Sequence, residues 1–225
     1  LPIDEREGRI AGEATFPLAD WRAAINFQLS RSESDEVLSS SVFDATGVLD
    51  ELIAGDVAER EIVGEIGAAF RREDGPWRSE FAVIATRSRF DADEVSVERD
   101  GAGVFSEADY QTQRLESGET IVRAAFERAL AHDWRLSLGA EAAYNMLEQR
   151  IALLEDAGAG PVPVPLPSAN VLVEEERGEI SFMLAGPLTP RWRFEGGASA
   201  EASMLRQEGD TNAETELAFL KPTLQ

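Results

Sequence analysis

The chain has 225 residues, with 43 acidic side chains against 21 basic ones, a formal charge of −22 and no cysteine. That balance argues against a nucleic-acid partner, because a phosphate backbone is held by Lys and Arg. Absence of cysteine excludes disulfides, thiolate metal sites and cysteine nucleophiles, and no stretch approaches the roughly 18 continuous apolar residues of a membrane helix.

Taken in chain order, the sequence reads as hairpins. A run "RIAGEATFPL" from Arg9 reaches the turn signal "LAD" (18–20), and an alternating run starts at Trp21. There Trp21, Ala23, Ile25, Phe27 and Leu29 form one face, and Arg22, Ala24, Asn26, Gln28 and Ser30 the other. The pattern returns three times: "EIVGEIGAAFRR", "EDGP" and a run from Trp77; "ETIVRAAFERAL", "AHD" and a run from Trp134; "EISFMLAGPL", "LTPR" and a run from Trp192. Expected hairpins cover about 9–31, 61–89, 119–147 and 174–205, with a last strand at about 213–225. Polar or Gly/Pro-rich connections of about 30 residues (31–60), about 29 (90–118) and about 27 (148–174) read as loops. Helical periodicity competes in "ETIVRAAFERALAH" and "AEAAYNMLEQRIALLED", but the repeat register favours strands over 119–131 and 133–147. Local propensity leaves room for a helical turn at 48–55 and 149–156.

Trp21, Trp77, Trp134 and Trp192 are all the tryptophans, spaced 56, 57 and 58 residues apart, and each precedes an arginine. A fixed period of this size signals a repeated structural unit. Strict alternation of short and long connections is the habit of transmembrane β-barrels, which also carry aromatic girdles at both interfaces. The expected fold is therefore all-β: an antiparallel up-and-down transmembrane β-barrel wall of about nine strands, with short periplasmic turns and long extracellular loops. In that frame the four tryptophans form a membrane-interface girdle, because an indole is stable where one side is apolar and the other wet. The residues expected to face the lumen are Arg22, Arg78, Glu80, Arg123, Glu127, Arg135, Glu141, Arg193, Glu195 and Glu201.

The hairpins resemble the barrel of TonB-dependent outer-membrane receptors. The stretches carrying the likeness are Trp192-Arg193-Phe194-Glu195-Gly196-Gly197 and Phe219-Leu220-Lys221-Pro222-Thr223-Leu224. The resemblance implies a larger barrel closed by a plug domain, outer-membrane lipid around it, and import of a scarce nutrient, such as a metal chelate or saccharide, driven by the TonB system. No plug is seen in the sequence, and the chain, running from Leu1 to "FLKPTLQ", is expected to be cut at both ends. The resemblance names no solute and no residues that contact one.

Catalytic chemistry finds little support. His132, the one histidine, falls in a turn beside Asp133 and reads as plain surface. Acidic clusters at 33–36, 91–94 and 174–176 lack the glycine and spacing of a calcium loop and read as solvated. In a barrel, such acidic loops are candidates for divalent ions that bridge lipopolysaccharide. No cofactor, metal site or enzyme activity is expected. Two other readings stand beside the receptor wall: a small self-contained outer-membrane barrel (porin-like or adhesin), and a soluble β-repeat binding protein.

Overall fold

The computed structural model describes residues 3–224, and it is one antiparallel sheet. The strands are β1 (Ile3–Leu18), β2 (Trp21–Phe43), β3 (Leu49–Asp74), β4 (Trp77–Asp100), β5 (Phe105–Ala129), β6 (Arg135–Asp156), the short β7 (Val162–Val164), β8 (Asn170–Thr189), β9 (Trp192–Gly209) and β10 (Ala213–Leu224). Each long strand pairs with the next in sequence, giving the order β1-β2-β3-β4-β5-β6-β8-β9-β10 with β7 set against β6. Among the described residues β1 and β10 are not paired with one another, so the sheet is an open up-and-down wall.

The proximal turns fall where the sequence placed them. Ala19 and Asp20 join β1 to β2, Gly75 and Pro76 join β3 to β4, and Pro190 and Arg191 join β8 to β9. A 3₁₀ turn at Ala131–Asp133 joins β5 to β6. It holds His132 exposed, in the left-handed region at φ 59°. Segments 119–129 and 135–147 are strand despite their helical periodicity. Each is laddered on both sides, so its backbone groups are satisfied across the sheet.

The long loops do not exist as such. Segments 31–60 and 90–118 are strand except for the turns at 44–48 and 101–104, and 148–174 is strand through Asp156 and again from Asn170. The turns of helix allowed at 48–55 and 149–156 are strand as well, from Leu49 in the first. The physical reason is that charged and apolar residues are mixed on both faces here, Val95 among the charges of one face and Ile53 among those of the other. Hydropathy no longer alternates although the hydrogen-bonded ladder continues. The distal turns share one device. Asp44 Oδ1 accepts the N–H groups of Thr46 and Val48 at 2.8 and 2.9 Å, and Asp100 Oδ1 does the same for Ala102 and Val104 at 3.0 and 2.8 Å. Gly47 and Gly103 supply the positive φ these turns need, at 82° and 84°. The Val48 N–H, and then the Thr46 hydroxyl, hold the Asp44 carboxyl below its ordinary range.

The sheet has no second layer. Accessible surface is 15312 Å², against about 10,000 Å² for a compact monomer of this mass. Among the described residues the buried hydrophobic side chains are Ala23, Ala108 and Ala143. Fold stability here comes from the ladder and from whatever covers the faces, not from an interior.

Candidate functional site

Directly paired residues of neighbouring strands point to the same face, so the register sorts every side chain. All ten polar residues singled out above share one face. Arg22 opposes Arg71, which opposes Glu80. Arg78 opposes Glu127, and Arg123 opposes Glu141, which leads through Glu179 to Glu201. Arg135 leads through Ala185 to Glu195, and Arg193 opposes Pro187. Sequence reading missed the partners that complete this face: Arg71, Glu73, Arg177, Glu179 and Lys221. They lie on β3, β8 and β10, and the pairing register puts them on this face.

These partners make a ladder of ion pairs. Glu141 accepts Arg123 at 2.6 Å and Arg177 at 3.1 Å, and Glu201 accepts Lys221 at 2.6 Å. Arg71 meets Glu80 at 2.9 Å, Arg78 meets Glu73 at 2.7 Å, and Arg135 meets Glu127 at 2.9 Å. Exposed pairs of this kind stabilise by at most about 1 kcal/mol each. Their effect is a water-wetted wall whose charges largely cancel. Nearer the distal rim the same face turns acidic. Glu98 shares a hydrogen bond with Glu51, and Glu107 with Glu155, which together with burial and the surrounding carboxylates raises both above the ordinary range. Such shared protons tie neighbouring strands at low pH, and the tie is lost as pH rises through the raised values.

The opposite face is zoned. From the proximal turns upward it is apolar: Trp21 to Leu29 on β2, Phe70 down to Ile62 on β3, Trp77 to Ala85 on β4, and Leu136 to Met146 on β6. Above that level it becomes charged, with Arg31, Arg60, Arg87, Glu116 and Glu148 next in line on the same face. The apolar zone stands uncovered, with Ile180 66% and Leu220 73% exposed. Nine residues of tilted strand rise about 24 Å, close to the apolar band of about 25 Å on outer-membrane barrels.

The four tryptophans follow this zone's lower edge. The row of Trp21 reaches Ser79 by way of Arg72, two residues beyond Trp77. Trp77 leads through Arg128 to Leu136, two residues beyond Trp134, and the row of Trp134 leads through Gly186 to Phe194, two beyond Trp192. The offset is therefore one residue per strand throughout. With strands about 4.8 Å apart and about 3.3 Å per residue, this offset brings the tryptophans to one level when the strands tilt by about 35°, a value inside the range of membrane barrels. Neighbours fix them: Trp21 packs on Phe81 at 5.6 Å, Trp134 on Phe194 at 6.1 Å, and the Arg128 guanidinium lies 5.0 Å over the Trp77 ring. Gly186 makes room for Trp134, since a Cβ there would come within 2.3 Å of the indole. Gly186→Val is expected to displace that indole and shift Trp134 emission to the red, in a variant that retains only Trp134.

The acidic clusters are strand, not loop. Alternation puts Asp91 and Asp93 on the zoned face and Glu94 on the other, and likewise separates Glu174 and Glu176 from Glu175. Asp91 is taken up by Arg89 and Arg114 at 2.7 and 2.8 Å, which leaves a charge-compensated belt in place of a bare acidic loop.

No family model matches the sequence, and no curated protein matches it. Among solved structures the chain is similar to BauA, the ferric preacinetobactin receptor of Acinetobacter baumannii, at 8% identity and TM-score 0.43, over 99% of this chain and 44% of that one. It is similar to the ferric citrate transporter FecA at 8% identity and TM-score 0.42, over 97% and 38%. The copper transporter OprC gives 10% identity and TM-score 0.43, over 99% and 42%. The chain thus spans less than half the length of each, and scores this low describe a partial overlap of sheet walls without functional weight.

Proposed function

We propose that this chain is part of the wall of an outer-membrane β-barrel of the TonB-dependent receptor kind, a transport protein and not an enzyme, which admits a scarce nutrient such as a metal chelate or a saccharide. The observation that carries the reading is the zoned face: an uncovered apolar band about 24 Å tall, with a level line of tryptophans below and a charged belt above. Lipid is the natural cover for such a band. The ion-paired face then lines the lumen, against water or a plug. The unpaired edges of β1 and β10 favour further strands in the same wall, and energy from the TonB system follows from the family reading alone.

Tryptophan quenching tests the membrane half of the proposal, in vesicles holding the protein that carries this chain. Lipids brominated near the headgroup should quench the four indoles more strongly than lipids brominated deep in the acyl chain. Quenching by aqueous acrylamide alone would overturn it. Import is tested in cells lacking the protein, where its return should restore growth on a limiting ferric chelate or saccharide only while TonB is active.

A further inference from the structure

We propose that a groove on the zoned face, over Arg60, Arg89, Arg114 and Arg150, binds the phosphorylated sugar headgroup of a glycolipid in the outer leaflet. This rests on the reading of the apolar band as lipid-facing.

The groove has a volume of about 380 Å³ and is lined by those four arginines with Asp91 and Asp93. Asp91 pairs with Arg89 and Arg114, and Glu148 and Glu116 pair with Arg150 and Arg89, so the guanidiniums are held in place by carboxylates while no acidic partner within salt-bridge distance is found for Arg60 among the described residues. Its level is also telling. Arg89 lies four residues beyond Ala85, and Arg150 four beyond Met146, where the continuous apolar runs of their strands on this face end. On β4, four residues of strand tilted by about 35° put Arg89 about 11 Å above that run, the depth of sugars and phosphates above the acyl chains, and the other strands carry the groove further outward.

The arginines are arranged for an anion rather than for one another. Arg114 and Arg150 stand directly opposite across β5 and β6, and like charges so placed repel. A phosphate between them turns that repulsion into two charge-assisted pairs, and a guanidinium's planar fork suits phosphate oxygens. Asp91 orients Arg89 and Arg114 through their Nε atoms, at 2.7 and 2.8 Å, and so leaves terminal N–H groups of Arg114 directed to other acceptors. Arg150 is steadied by Glu148. Thr112 and Asn170, on the groove's wall, offer hydrogen bonds to sugar hydroxyls.

The test uses the outer-membrane protein that carries this chain, purified in detergent, with native mass spectrometry counting bound lipid. The probes are purified lipopolysaccharide and the same lipopolysaccharide stripped of phosphate by hydrofluoric acid. The wild type should retain the intact lipid at least tenfold better than the stripped one. Arg114→Gln with Arg150→Gln should lose that preference, while Arg193→Gln on the other face keeps it. Millimolar inorganic phosphate should not displace the lipid. Equal retention of both lipids by the wild type would overturn the proposal, as would an unchanged preference in a double variant that still migrates as a folded barrel without heating. Displacement by inorganic phosphate would overturn it too, by assigning a free-anion site. A protein that fails to float with outer membranes at all would instead refute the membrane reading.

Discussion

Val122→Arg is expected to abolish assembly into the outer membrane, whereas Ile121→Arg, one residue away, leaves it nearly unchanged. Val122 opposes Val83 and Ala142 at mid-height of the apolar band and is 53% exposed there. An arginine at that depth costs about 2–4 kcal/mol, falling to about 0–1 at the interfaces. Ile121 opposes Ile84 and Ala143 on the ion-paired face, where water receives a guanidinium at little cost. Migration of unheated samples on gels and flotation with outer membranes read the result. Equal behaviour of the two variants would dissolve the assignment of faces.

The second large effect concerns the chain by itself. Produced without lipid or detergent, residues 1–225 are expected to aggregate, and detergent micelles are expected to disperse them. Trp192 is 70% exposed and Leu224 79%, no second layer covers them among the described residues, and β1 and β10 each present an open ladder. Exposed edges of that kind pair with other chains. Size-exclusion chromatography with light scattering decides the matter. A monodisperse species in plain buffer that melts cooperatively would favour the soluble β-repeat reading.

Sequence reading recovered the lower half of this wall and misread the upper half. Below the charged belt one face is apolar, so Trp77, Phe81 and Val83 alternate with Arg78, Glu80 and Ala82 and betray the strand. Above it, stretches such as "SESDEV" and "DADEVSVERD" are strand with charged residues on both faces, and a pattern that reads hydropathy has little left to detect. One signal was available and unused. Asp44 and Asp100 each precede a glycine by three residues, and a turn marked twice in that way shortens the connections from about 30 residues to five and four. For the polar face, Arg71, Arg177 and Lys221 follow from the pairing register, which a single sequence does not print.

The one-residue stagger of the tryptophans has a consequence for how the wall finds its pairing. A slip of one residue between two strands turns every side chain to the wrong face, so the alternation of polar and apolar positions rejects it. A slip of two keeps each face correct, and alternation is blind to it. Such a slip would move one part of the wall by about 5 Å along the axis, carrying Arg31 or Arg87 down into the acyl chains or lifting a tryptophan off its interface. On the proposed lipid-facing reading, parity of register is thus checked by the chain, and its absolute value by the thickness of the bilayer.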